Sequence, residues 1–168
     1  AELFQVHDLL ARRENASSVT VGQSALLDKD YFTALASGLL TLGGVHAPIL
    51  QTVSMLKDTT YRNTVDFLIN NKTRPRRVPG WGSAFIKGEP DPVFTVLDKM
   101  LQKDNKVLHD RITGITEVLH KNNKMIYPNA ACYTAACGIT VGMSDEVIPY
   151  FVVKGRIEAW TDVYAHNK

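Results

Sequence analysis

Cysteine is scarce. The 168 residues hold only Cys132 and Cys137, five apart in one apolar segment. That spacing fits neither a zinc pair nor a CxxC redox motif, so the two read as free buried thiols of an intracellular, reducing compartment. An excess of charge is missing as well: 19 Lys and Arg stand against 17 Asp and Glu, a formal charge of +2. Without a broad basic field, nucleic acid is not an expected partner. No run of about 18 apolar residues occurs, so no membrane span is expected, and no signal-peptide pattern opens the chain. Internal repeats, low-complexity stretches and alternating strand patterns are nearly absent, apart from an ambiguous Ser18-Val19-Thr20-Val21. A collagen-like repeat, a disordered tail and a disulfide-stapled miniprotein are thereby excluded. Asn15-Ala16-Ser17 matches the N-glycosylation pattern, a weak signal without a secretion signal.

What is present is apolar mass with helical spacing. The chain is 45% hydrophobic, and its length is that of about one domain with a real core. Leu3, Val6, Leu9 and Leu10 recur at helical intervals, and Ser24 to Leu40 reads as one helix. Pro48 suits the first turn of a helix through Leu56, and Asp58 to Ile69 carries an apolar stripe. Asn70 to Pro92 is rich in turn residues and divides the chain into two helical halves. Beyond it, Pro90-Asp91-Pro92 opens a helix that Lys103-Asp104-Asn105 breaks, and Lys106 to His120 gives the clearest amphipathic pattern. Pro128 to Thr140 is small and apolar all round, as suits a helix buried between others. Ser144, Asp145 and Glu146 are placed to cap a last helix toward Lys168, with Pro149 in its first turns. The expected fold class is all-α.

The least ordinary stretch is Val78-Pro79-Gly80-Trp81-Gly82-Ser83-Ala84-Phe85-Ile86-Lys87-Gly88-Glu89-Pro90-Asp91-Pro92. Two glycines around an aromatic let backbone groups approach a flat ligand, and Lys87 could meet a phosphate. By composition alone the stretch is a loop, structural or ligand-binding. Just before it, Lys72, Arg74, Arg76 and Arg77 form a charge run, a solvated loop by default and otherwise a phosphate contact. His7, His109, His120 and His166 show no metal spacing and read as surface residues; no metal is expected.

The loop resembles that of citrate synthases, which reads Pro-Gly-(Phe/Tyr)-Gly-His, a few apolar residues, a basic residue and Asp-Pro-Arg. Other segments fall in the order that family requires. Glu14-Asn15-Ala16-Ser17-Ser18 is similar to its His-Glu-X-Asn-Ala-Ser segment, and Leu42-Gly43-Gly44-Val45-His46-Ala47-Pro48 to its Gly-Pro-Leu-His-Gly-Gly-Ala turn. Tyr127-Pro128-Asn129-Ala130-Ala131-Cys132-Tyr133-Thr134-Ala135 resembles Pro-Asn-Val-Asp-Phe-Tyr-Ser-Gly. Phe151 to Trp160 is similar to the helix that carries a substrate-binding arginine.

The resemblance implies a citrate synthase-like multi-helical fold: residues 1–168 as one domain, corresponding to the C-terminal half of the family fold with its small domain, without the family's N-terminal region. It also implies roles. Enolising acetyl-CoA needs a carboxylate to take the α-proton and a histidine to hold the thioester oxygen. His46 matches the enolate-stabilising histidine, Arg156 the carboxylate-binding arginine, and Lys87 the basic residue near the phosphates of coenzyme A. The backbone of Val78, Pro79, Gly80, Trp81, Gly82, Ser83 and Ala84 would line the adenine pocket. The reacting groups depart from the pattern. Ser83 stands where the ketone-polarising histidine belongs, Ala131 where the catalytic aspartate belongs, Val93 where an arginine belongs, and Arg13 where a further histidine belongs. A methyl group accepts no proton.

Two functions follow as expectations. The first is a citrate synthase-like chain that has lost acyl transfer and acts as a structural or interaction subunit, a protein partner or second copy covering its apolar helix faces. The second is a coenzyme A-thioester-binding acyltransferase or lyase subunit completed by a partner chain, with coenzyme A or an acyl-CoA as its ligand.

Overall fold

The computed structural model describes residues 16–42, 48–71, 77–83 and 86–168. The expected helix around Leu3 to Leu10, together with Arg13, His46, Ala84, Lys72, Arg74 and Arg76, lies outside them. The described residues form eight α-helices: α1 (Ala16–Leu26), α2 (Tyr31–Leu40), α3 (Ile49–Lys57), α4 (Tyr61–Asn70), α5 (Thr95–Asp104), α6 (Lys106–Lys121), α7 (Ala130–Thr140) and α8 (Ile148–Asn167). A 3₁₀ turn, Pro92–Phe94, leads into α5, and no strand occurs among the described residues. The fold is all-α.

The single helix expected over Ser24 to Leu40 is two. Asp28 takes a left-handed backbone, φ 60°, which ends α1. Asp30 then caps α2, its carboxylate accepting the Thr33 amide at 3.1 Å. Ser18 to Val21, ambiguous as a strand, lies within α1. Asn105 does two things at the α5–α6 corner. It ends α5, and its Oδ1 accepts the Leu108 amide at 3.1 Å to start α6. The cap expected for α8 is absent: Val147 occupies that position with no side-chain hydrogen bond, and Asp145 instead pairs with Lys57 on α3 at 2.5 Å. Pro149 does fall in the first turn of α8.

Packing crosses the turn-rich interval. α3 and α4, before it, lie against α6 and α7, after it, so the interval separates two halves in sequence but not in space. One core, including Leu56, Val65, Leu97, Leu101, Ile115, Leu119 and Cys137, runs through α3 to α7 and ends on Ile148 and Val152 at the start of α8. α7 sits at its centre, with residues 131–138 all buried. Arg111 on α6 donates to the Leu56 carbonyl at 2.5 Å, closing the end of α3.

A second, smaller core joins α1, α2 and the later half of α8 around Val21, Ala34 and Trp160. Gly38 makes this approach possible: a Cβ there would stand 2.7 Å from Val21 Cγ2 and 3.2 Å from Trp160 Cε2. Tyr31 donates or accepts a hydrogen bond with Thr161 at 2.8 Å, Tyr164 reaches the Lys29 carbonyl at 3.1 Å, and Lys168 pairs with Asp28. Ser17 is fully buried, so the glycosylation pattern ends inside the protein.

Candidate functional site

The Pro79–Gly82 turn is fastened to the start of α7. Gly80 and Gly82 both adopt φ near +90° (87° and 89°), the left-handed region open to glycine. This folds the turn so that Trp81 pairs with Pro128 in an isolated antiparallel bridge. The Gly82 amide donates to Tyr127 O and the Asn129 amide to Gly80 O, both at 2.9 Å. Gly80 is needed for space as well: a Cβ there would meet Thr52 Cγ2 at 2.5 Å and Cys132 Cβ at 3.3 Å. Thr52, fully buried on α3, donates its hydroxyl to Pro48 O at 2.7 Å. The loop, the first turn of α3 and the first turn of α7 therefore meet at one place. His46, two residues before Pro48, lies outside the described residues.

Trp81 faces inward. It is 5% exposed and its indole Nε1 donates to Thr116 Oγ1 on α6 at 3.0 Å. Its ring is a core anchor. Val78 is buried, Pro79 half-buried, and Ser83 and Lys87 exposed. The Ser83 hydroxyl accepts the Ile86 amide at 3.2 Å.

At the position matched to the catalytic aspartate, Ala131 is buried in the first turn of α7. Cys132 beside it is fully enclosed, and burial pushes its thiol well up, so no thiolate base replaces the missing carboxylate. Burial likewise raises Cys137, to about 12. Both cysteines are free and buried, as their apolar surroundings predict. Arg156, on α8, is half-buried, and loss of water pulls its guanidinium down to about 10. An arginine on the solvated face of an amphipathic helix would keep its ordinary value.

Two features escape a reading of the sequence. Asn129 starts α7 through its side chain, Oδ1 accepting Ala131 N at 2.9 Å, while Nδ2 donates to Gly82 O at 2.7 Å. The signal was an Asn directly before an apolar helix. The second is His109, expected at the surface but only 15% exposed, with Nε2 3.5 Å from Asp98 Oδ2. Asp98 also accepts the Tyr133 hydroxyl at 3.3 Å, and burial raises Tyr133 far above the usual phenol range. His120 is half-buried, edge-on to the Tyr127 ring, whereas His166 is exposed. Among the described residues no group of His, Cys, Asp and Glu could hold a metal ion, and no helix is long and apolar enough to cross a membrane.

Comparison with known structures agrees with this architecture. Citrate synthase from Thermotoga maritima superimposes with a TM-score of 0.81 at 21% identity, over 95% of this chain and 47% of that one. Citrate synthase from the archaeon Thermoplasma acidophilum, in its ternary complex with carboxymethyl coenzyme A and oxaloacetate, gives 0.75 at 16% identity over 95% and 45%. Citryl-CoA lyase from Hydrogenobacter thermophilus gives 0.77 at 16% identity over 98% and 68%. This chain thus spans about half the length of the citrate synthases it matches. No curated protein sequence matches it. The family model for the C-terminal domain of citrate synthase matches residues 13–166, and the chain belongs to the citrate synthase family.

Proposed function

We propose that this chain has lost acyl transfer and serves as an interaction subunit of a larger assembly. The observation that carries this reading is the face of α1 and α2 turned away from α8. Val19 and Leu26, seven apart on α1, are exposed, as are Phe32 and Leu39, seven apart on α2, with Leu27 and Leu40 beside them. Phe32 is 78% exposed and Leu40 86%. Neither helix carries a charged residue. An uncharged apolar face of this kind is what a partner covers.

The loss of chemistry is argued from the groups at the site. Ala131 has no proton acceptor, Cys132 is sealed with its thiol protonated, and Ser83 has no imidazole to polarise a ketone. Groups that act as a unit lose most of their rate with the first loss. Incubation of the native preparation with acetyl-CoA and oxaloacetate should release no coenzyme A thiol above background. Release at about 1 s⁻¹ or faster, the ordinary enzymatic range, would overturn the reading.

A second reading keeps ligand binding without the reaction: a coenzyme A-thioester-binding subunit completed by another chain. One observation favours it. The Gly80–Gly82 turn keeps a tightly tied backbone. Calorimetric titration with coenzyme A and acetyl-CoA should show binding that Lys87→Ala weakens. No heat with either compound would sink this reading.

A further inference from the structure

One side chain belongs to both elements of the candidate site. The Asn129 carboxamide oxygen accepts the Ala131 and Cys132 amides, at 2.9 and 3.4 Å, and its nitrogen donates to Gly82 O at 2.7 Å. Its own backbone amide holds Gly80 O at 2.9 Å. We infer that Asn129 is a positioning residue: its side chain fixes the exit of the Gly80–Gly82 turn to the first turn of α7, so that the backbone at Gly82 and Ser83 is presented to a coenzyme A-type ligand in one conformation. The inference rests on the second reading above.

The residue type follows from the task. One planar group must accept from helix amides on one side and donate to a loop carbonyl on the other, which asparagine does and a carboxylate does not. An aspartate keeps the cap, since Asn and Asp start helices equally well. It loses the donor and sets an anionic oxygen against Gly82 O. The Trp81 indole bond to Thr116 survives in that variant, so the turn loosens at its Gly82–Ser83 end while the core stays closed.

The test compares Asn129→Asp and Asn129→Ala with the wild type in the native preparation, by thermal midpoint, amide exchange at Gly82 and Ser83, and titration with coenzyme A. Asn129→Asp should melt close to the wild type, yet exchange those amides about tenfold faster and bind coenzyme A about tenfold more weakly, the scale of one hydrogen bond. Asn129→Ala should lose thermal stability as well. Wild-type exchange and affinity in Asn129→Asp would overturn the positioning role. If the wild type binds no coenzyme A but Asn129→Asp still frees the loop, the ligand reading fails and the clamp stands. If both bind equally well, the clamp fails and the ligand reading stands.

Discussion

The core of α3 to α7 and the core shared by α1, α2 and the later half of α8 are both built mainly from helices, but they close differently. In the first, every helix gives large side chains to a common interior, and the centre is a helix whose residues 131–138 are all buried. In the second, Trp160 fills the space with Val21 and Ala34, while the large apolar residues Leu26, Phe32, Leu39 and Leu40 point elsewhere. The first region closes a continuous interior, with Phe67, Val96 and Val107 left exposed singly on its outside. The second has one face packed on α8 and another that is apolar and exposed. Polar ties such as Tyr31–Thr161, Tyr164 to Lys29 O and Lys168–Asp28 hold it in place, but these are partly or fully exposed and contribute little individually.

Several changes would break or sharpen this contrast. The largest effect is expected from Trp160→Ala, which empties the smaller core and should cost about 3–5 kcal/mol. Because the cores share only α8, amide exchange should show α1 and α2 opening while α6 and α7 stay protected; equal loss of protection in both regions would show that they are one cooperative unit. In the larger region, Gly80→Ala meets both a left-handed backbone and the Thr52 methyl, and about 2–3 kcal/mol of destabilisation is expected by chemical denaturation. Arg111→Met keeps the apolar stem and removes the bond to Leu56 O, an expected loss of about 1 kcal/mol in the same assay.

The smallest effect concerns pH. Hydrogen bonds from Thr64 and then Thr60 hold the Asp58 carboxyl below the usual carboxylate range. Its folded value lies below its unfolded one, so the stabilisation is fully present above about pH 4 and fades as pH falls through the folded value. Thr64→Val should therefore lie below the wild type near neutral pH and converge with it in acid. Parallel curves would show that Asp58 is not the cause.

Much of this architecture was legible in the sequence, for identifiable reasons. The α6 pattern could be read because its apolar residues repeat every three or four positions beside charged ones, and the buried character of α7 because no charged residue interrupts it. The break between α1 and α2 was hidden because both flanks are apolar and helix-forming. Only Asp28-Lys29-Asp30 marks it, and its effect lies in one left-handed residue and one cap. At the site, the turn glycines announced themselves, whereas the direction of the Trp81 ring did not. Nothing in the residues around it tells which way the ring turns; its burial and its bond to Thr116 show that it points inward. Asn129 and His109 were obscure for a related reason: each gains its role from partners distant in sequence, Gly82 for one and Asp98 for the other.

The central claim is that the face of α1 and α2 is covered in the native protein. Its most direct test is the native mass at micromolar concentration, set beside that of the double variant Phe32→Glu, Leu40→Glu. Both positions are exposed, so the variant should keep the stability of the isolated chain. The account predicts a wild-type particle well above the 18.7 kDa of one chain, which falls to that mass in the variant. A wild type that already runs at 18.7 kDa, or a variant that retains the larger mass, would contradict it.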